Sequence, residues 1–151
     1  MILREATPAD RDQVVALALR FHGATPYAQL LVIERTRVEA LFAVALATGV
    51  VLVAEAEHTA EGGELVAFLA LAALEHTLSG ERYAEEIAWW VEPRYRDGTI
   101  GPRLLALAEA WARADGCAFI KMVAPVGTAV GTFYDRRGYH PIETAWMKRV
   151  A

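Results

Sequence analysis

Cysteine, lysine and net positive charge are scarce in this sequence. Its single cysteine, Cys117, excludes an intramolecular disulfide, and the apolar run beside it predicts a buried thiol rather than a nucleophile. Of the 15 basic residues 13 are arginine, and the formal net charge is −4. This balance argues against a dedicated nucleic-acid binder, because phosphate contacts need a strongly basic face.

Long apolar runs are also missing, since no stretch is long and uninterrupted enough to span a bilayer. The opening ILREATPAD is mixed in polarity, so no secretory signal is predicted. The four histidines are scattered, and no histidine or cysteine pattern has the spacing of metal ligands. The sequence therefore predicts a cytoplasmic protein with no membrane partner and no bound metal.

The length and composition, 151 residues of which 55% are hydrophobic, predict one domain over residues 1–151. Thr7 as a cap and Asp10 three residues later mark the start of a first helix. A second helix is predicted to end before Gly49. Its apolar face is predicted to consist of Val38, Leu41, Phe42 and Ala45.

Three apolar runs follow these helices, at residues 50–57, 65–75 and 83–92. HTAEGG joins the first two, and a turn at Ser79-Gly80 precedes the third, a pattern typical of hairpins. Because successive strands joined by short turns pair in opposite directions, we expect three antiparallel strands here.

The second half of the chain is predicted to alternate helices and strands. A helix at 102–115 leads to a strand at 117–125, which needs a crossover and should therefore lie parallel to strand 83–92. A short helix at 128–137 and a last strand at 139–150 complete the order β-α-α-β-β-β-α-β-α-β. The expected fold class is α/β with a mixed, mostly antiparallel sheet.

The loop YRDGTIG, residues 95–101, places two glycines before a predicted helix. The first N–H groups of a helix lack partners and carry partial positive charge, so they form an anion site. Gly98 and Gly101 let an anion approach the backbone, and Arg96 can add a charge-assisted hydrogen bond. The pattern is neither G-x-G-x-x-G nor a Walker loop. The alternative is a tight turn that only caps the helix.

V-E-P-R-Y-R-D-G-T-I-G followed by R-L-L resembles the acyl-CoA-binding motif of the GNAT superfamily of N-acetyltransferases. The opening ILREATPAD and the late F-Y-D-R-R-G-Y-H-P resemble that family's first and closing segments. The resemblance implies a GNAT-like sheet splayed at its centre and flanked by helices, with acetyl-CoA (coenzyme A) as co-substrate. The implied coenzyme contacts are Val91, Arg96, Asp97, Gly98, Thr99, Ile100, Gly101 and Arg103.

Two positions depart from the family's loop. Thr99 stands where the family usually has glycine, and a β-branched residue adopts positive φ only at a cost. Pro102 has no N–H, so one phosphate donor is missing. We expect the Thr99 hydroxyl and the other amides of the loop to compensate.

Acetyl transfer to an amine needs a base for the amine and a proton for the departing thiolate. The resemblance places Glu85 and Glu86 beside the thioester. Because neighbours along a strand face opposite ways, only one can face the site: Glu85 is predicted to share a face with Trp89, and Glu86 with Trp90. Counting back from the loop favours Glu85. A solvated strand end is the alternative for both.

The closing motif implies that Tyr134 is the general acid, the alternative being a packing tyrosine. The Val91 N–H, at a splay or bulge, is implied as the donor to the thioester oxygen. One of Trp89 and Trp90 is expected in the core, and the other in the acceptor pocket or against a helix.

These expectations together predict an N-acetyltransferase that acts on a small-molecule or peptide amine by direct attack in a ternary complex. Dimers are frequent in the family, and a C-terminal strand bearing Trp146 suits a homodimer. Two alternatives stay open: a non-catalytic acyl-CoA-binding regulatory module, and a toxin-like acetyltransferase of aminoacyl-tRNA, which needs a basic patch that the sequence does not reveal.

Overall fold

A computed structural model of the protein describes residues 1–56 and 63–151. The turn HTAEGG, except for its last residue, lies outside the described residues. The helices and strands are β1 (Ile2–Glu5), α1 (Arg11–Gly23), α2 (Arg35–Thr48), β2 (Gly49–Glu55), β3 (Leu65–Glu75), β4 (Arg82–Val91), α3 (Ile100–Ala114), β5 (Phe119–Lys121) and α4 (Val130–Asp135). None of the described helices combines the length and apolar character that crossing a membrane requires.

The five strands form one sheet in the order β1-β2-β3-β4-β5. The first three pairings are antiparallel, and β5 is parallel to β4, as the crossover predicts. β4 pairs with β3 along its whole length, whereas it pairs with β5 only from Tyr83 to Glu85. The sheet therefore opens between β4 and β5 beyond Glu85, which confirms the expected splay.

Each face of the sheet carries an apolar cluster. On one face α3 packs on the sheet through Ile100, Leu104, Ala108 and Ala112. On the other face α1 and α2 contribute Val14, Leu17, Phe42 and Ala45. Because both faces are covered, the residues of β2 and the first part of β3 are buried almost without exception.

The predicted start of the first helix is present as a short 3-10 turn, Pro8–Asp10, that leads into α1. The Thr7 N–H donates to Asp10 Oδ2 at 2.7 Å. Arg4 joins this turn to β2, because its guanidinium lies 2.8 Å from Asp10 and 2.9 Å from Glu55, two buried carboxylates. The hydrogen bond from Arg4 lowers the pKa of Asp10 to about 2.

Two expectations about the helices and strands are wrong. Leu41 is 47% exposed, although Phe42 and Ala45 in the same helix are buried. Since α2 is apolar on most of its sides, the sequence pattern alone does not single out one face. Residues 139–150 form no strand in the structure. Strand-like alternation needs the edge of a partner strand, and no described residue supplies one.

Candidate active site

The opening between β4 and β5 contains a glutamate, a tyrosine and a backbone amide. Glu86 Oε2 accepts a hydrogen bond from the Val123 N–H at 3.0 Å. The Tyr134 hydroxyl reaches both Glu86 Oε2 and the Val123 carbonyl at 3.3 Å. β5 ends at Lys121, earlier than the predicted strand, and the chain beyond it brings the Val123 N–H to Glu86. The contribution of Val123 was not predicted from the sequence, because Val123 lies inside the predicted strand 117–125.

A β-bulge decides which glutamate faces this opening. Ala70 pairs with Ala88 and Leu71 pairs with Glu86, so that Ile87 is an extra residue in β4. Ile87 and Ala88 both lie on the face of α1 and α2, with Trp90. Because of the extra residue, the part of β4 before Ile87 faces opposite to what strict alternation would give. Glu86 therefore lies on the same face of the sheet as Trp89. The predicted face assignment of both glutamates is thus wrong.

Glu85 lies on the opposite face of β4 from Tyr134. Its Oε1 forms an ion pair with Lys121 Nζ at 3.1 Å, and its Oε2 accepts from the Tyr83 hydroxyl at 3.2 Å. Lys121 also binds Glu143 at 2.8 Å. The structure therefore brings Glu86 and Tyr134 together and holds Glu85 in a separate charged cluster.

The surroundings shift the proton equilibria of Glu86 and Tyr134. Burial raises the pKa of Glu86 to about 7, although the hydrogen bonds from Val123 and Tyr134 pull it down. Burial, and then the nearby charge of Glu86, raise the pKa of Tyr134 far above its ordinary value. Near neutral pH Glu86 can gain or lose a proton, whereas Tyr134 keeps its own.

The two strand tryptophans lie on opposite faces, as predicted. The Trp89 ring lies 5.8 Å from Phe133 and 6.2 Å from Tyr134 between centroids, so it lines the opening. Trp90 packs on the other side, with the Arg96 guanidinium 4.4 Å from its ring centroid. Both indole N–H groups are buried without a hydrogen-bond partner in the described part of the chain.

The loop before α3 adopts a relaxed backbone. Thr99 has φ −93° and ψ −1°, so the positive φ expected to strain it does not occur. α3 begins at Ile100, and the Arg103 N–H donates to the Thr99 carbonyl at 3.0 Å. The amides of Thr99, Ile100 and Gly101 precede that first intrahelical bond and remain as donors, whereas Pro102 supplies none.

The surface around these amides suits an anion. Residues 96–99 are exposed, and a Cβ at Gly101 would lie 3.6 Å from the Trp89 ring, in ordinary van der Waals contact. Arg96 Nε donates to the Val91 carbonyl at 2.9 Å, which ties the loop to the end of β4. Its two terminal nitrogens have no partner among the residues described. The loop therefore presents backbone donors at this end of the opening, whereas the Arg96 guanidinium lies on Trp90, at the other face of β4.

The Val91 N–H points into the opening. Because the Glu92 N–H donates to Val66 in β3 at 2.9 Å, the preceding N–H must point to the other edge of β4. That edge has no partner strand here among the described residues, since β5 has already ended. The bulge lies at Ile87 rather than at Val91, so the splay alone leaves this N–H available.

The family of the chain follows from a sequence comparison. A family model described as acetyltransferase (GNAT) family matches residues 25–139, well over half of the chain. The chain belongs to this family. No curated protein sequence matches it. Among residues 1–56 and 63–151, no group of three histidine, cysteine, aspartate or glutamate side chains is placed to hold a metal.

Solved structures share the whole fold at low sequence identity. A ribosomal-protein-alanine N-acetyltransferase from Brucella melitensis superposes with TM-score 0.72 at 17% identity, covering 99% of each chain. An aminoglycoside 6'-N-acetyltransferase from Acinetobacter haemolyticus gives 0.73 at 16% identity, covering 100% of each. An acetyltransferase from Trypanosoma brucei gives 0.73 at 18% identity, covering 99% of each. At these identities the likeness supports the fold alone.

Proposed function

We propose that this chain transfers an acetyl group from acetyl-CoA to an amine of a small molecule or peptide, by direct attack in a ternary complex. The observation that carries this proposal is the contact between Glu86 and Tyr134 in the opening of the sheet. Acetyl-CoA supplies the activated acetyl group as a thioester. The neighbours named for ribosomal-protein alanine and for aminoglycosides both act on amines by name, which favours an amine acceptor.

Glu86 is the proposed base. An ordinary alkyl amine is protonated at neutral pH, because its pKa is about 10.4. A carboxylate whose pKa is raised to about 7 is a stronger base than an ordinary glutamate and is still ionised at mildly alkaline pH. Glu86 can therefore take the proton of the incoming amine, directly or through water.

Tyr134 is the proposed acid for the departing thiolate. Its hydrogen bonds of 3.3 Å are longer than the usual O–H···O distance of about 2.7 Å, so the hydroxyl is held loosely and can turn. The negative charge of Glu86 raises the pKa of Tyr134. When Glu86 takes up a proton that charge disappears, and Tyr134 becomes a better donor at the stage when the thiolate leaves.

The loop before α3 is the proposed site for the coenzyme's phosphates. The amides of Gly98, Thr99, Ile100 and Gly101 and the Arg96 guanidinium are the donors, flanked by Asp97 and Arg103. The Val91 N–H, directed into the opening, is the proposed donor to the thioester oxygen. Most of the proposed contacts with the coenzyme are therefore made by backbone N–H groups.

The matched variants Glu86→Gln and Glu85→Gln test the choice of base. We expect Glu86→Gln to lower kcat/KM by about 10²- to 10³-fold, and Glu85→Gln by only a few-fold. Wild-type activity should rise as the pH rises through about 7, and this inflection should be absent in Glu86→Gln. The assay is thiol release over a panel of amines. If Glu85→Gln is the inactive variant, Glu85 is the base.

Tyr134→Phe tests the acid, with Tyr139→Phe as its matched control. Tyr139 binds Glu109 at 3.0 Å, outside the pair of Glu86 and Tyr134. We expect Tyr134→Phe to lower kcat by about 10- to 100-fold with unchanged acetyl-CoA affinity, and Tyr139→Phe to leave both nearly unchanged. Calorimetric binding of acetyl-CoA without turnover on any amine would instead favour the non-catalytic acyl-CoA-binding module.

A further inference from the structure

Three aromatic side chains lie together at the opening of the sheet: Trp89 from β4, and Phe133 and Tyr134 from α4. We call this set the aromatic wall. The ring centroids of Trp89 lie 5.8 Å from Phe133 and 6.2 Å from Tyr134, and those of Phe133 and Tyr134 are 5.7 Å apart. Tyr134 is buried, and the other two are partly buried. Aromatic rings at these distances are in contact, so the wall joins β4 to α4.

Neighbouring residues support the wall from behind. A Cβ at Gly101 would lie 3.6 Å from the Trp89 ring, so this ring rests on the first turn of α3. Trp89 also packs against the buried cluster that contains Leu104. Phe133 is covered by the Arg137 guanidinium, which lies 3.8 Å from its ring centroid. Because the space behind both rings is occupied, we expect the wall to keep its position when a ligand binds.

Trp89 lies between the groups that hold the thioester in the proposed reaction. Along β4 it follows Glu86 and precedes Val91, and all three side chains lie on the face of α3. The Val91 N–H is the proposed donor to the thioester oxygen. The Tyr134 hydroxyl, 3.3 Å from Glu86, is the proposed acid for the sulfur. When the oxygen and the sulfur are held at these two places, the third substituent of the carbonyl carbon, which is the acyl chain, faces the Trp89 ring.

We propose that Trp89 limits the acyl chain that this protein accepts to acetyl and other very short chains, an inference that rests on the proposed acetyl transfer. In that transfer the amine nitrogen bonds to the carbonyl carbon and the C–S bond breaks. Glu86 takes the proton of the amine, and Tyr134 gives one to the sulfur. A chain of four or six carbons needs the space that the indole ring occupies. Each methylene that a packed apolar site cannot hold lowers kcat/KM by about 10- to 200-fold.

Truncation of Trp89 tests this limit, with thiol release from acetyl-, butyryl- and hexanoyl-CoA as the assay. An apolar cavity of about 150 Å³ holds a molecule the size of benzene, and Trp89→Ala removes a larger ring system than benzene. Wild type should prefer acetyl-CoA to hexanoyl-CoA by at least about 100-fold in kcat/KM, and Trp89→Ala should lower this ratio by about 10- to 100-fold. Trp146→Ala is the matched control, because Trp146 is 92% exposed, and it should keep the wild-type ratio.

The ratio between thioesters separates specificity from damage to the fold. A loss of folded protein lowers the turnover of all three thioesters alike, whereas a wider site changes their ratio. The Trp89 indole N–H has no hydrogen-bond partner in the residues that the structure describes, so its removal leaves none of their acceptors unpaired. Trp89→Phe, a smaller change, should shift the ratio in the same direction and replaces Trp89→Ala if circular dichroism shows that variant to be unfolded. An unchanged ratio in a folded variant, or equal use of hexanoyl-CoA and acetyl-CoA by wild type, would overturn the proposal.

Binding separates a failure of this limit from a failure of the proposed transfer. Calorimetric titration with CoA, acetyl-CoA and hexanoyl-CoA needs no acceptor amine. Wild type should bind hexanoyl-CoA at least about 10-fold more weakly than acetyl-CoA, and Trp89→Ala should remove this difference. That result without turnover on any amine would overturn the transfer but support the limit set by Trp89. Turnover that does not depend on chain length would overturn the limit alone, and no binding of any of the three would overturn both.

Discussion

The part of the sheet from β1 to β4 and the part of the chain from β5 onward are built differently. β2 and most of β3 are buried between helices, and β4 pairs with β3 along its whole length. β5 has three residues, and every residue from 141 to 151 is exposed. The closed part, β1 to β4, provides a packed frame, whereas the open part, from β5 onward, leaves backbone donors unpaired at the border, beside the partly buried carboxylate of Glu86. The candidate site lies where the two parts meet.

The largest expected effect is on the core of the closed part. Leu69→Ala should lower the free energy of unfolding by about 3 kcal/mol, because the fully buried side chain leaves a cavity. Val126→Ala, in the open part at 72% exposure, should change it by less than about 0.5 kcal/mol. Urea unfolding followed by circular dichroism measures both. Similar losses for the two variants would mean that the two parts do not differ in packing.

The next effect is on the buried ion pairs of the closed part. Arg4→Met removes the cation that Asp10 and Glu55 share and should cost about 2 kcal/mol, since both carboxylates are buried. The control is Arg11→Met, which breaks an exposed pair with Asp12. Because the folded pKa of Asp10 is lowered from 3.8 to about 2, its contribution is present above pH 3.8 and is lost as the pH falls towards 2. Unfolding of Arg4→Met should lose most of this acid-sensitive component, since the remaining hydrogen bonds from Thr7 lower the pKa of Asp10 less than Arg4 does.

A smaller effect with the opposite sign is expected at the border. Since the pKa of Glu86 is raised from 4.5 to about 7, its protonated form is favoured in the fold, and stability falls as the pH rises through this window. Glu86→Gln should therefore be more stable than wild type by roughly 1–2 kcal/mol at pH 8 and equally stable near pH 4.5. Thermal unfolding at both pH values measures this. If Glu86→Gln is instead less stable than wild type at pH 8, the fold does not raise the pKa of Glu86.

The smallest expected effect is in the loop. Pro102→Ala adds a fourth amide at the start of α3, and we expect it to tighten acetyl-CoA binding by about two- to five-fold, the contribution of one hydrogen bond. Isothermal titration measures the affinity. Pro102→Gly, which also restores the N–H, is the matched variant. An unchanged affinity in both would place the phosphates away from this turn.

The local elements of this protein could be predicted from the sequence, since each depends on short-range chemistry. Thr7 and Asp10 start the first helix because their bonds span one turn. The three antiparallel strands follow from short connections, and the parallel β5 follows from the crossover through α3. The resemblance to the GNAT family pointed to the loop before α3. The family model that matches residues 25–139 confirms that the chain belongs to this family.

Only the tertiary structure decided which groups meet. The bulge at Ile87 is a property of the pairing between β3 and β4, so a strict alternation along β4 alone put both glutamates on the wrong faces. The relaxed φ of Thr99 depends on how the loop enters α3. The segment at 139–150 has a strand's alternation but no partner strand in the described fold. Local pattern determined the elements, whereas pairing between distant segments decided register, faces and free edges, because those depend on contacts that no single stretch of sequence contains.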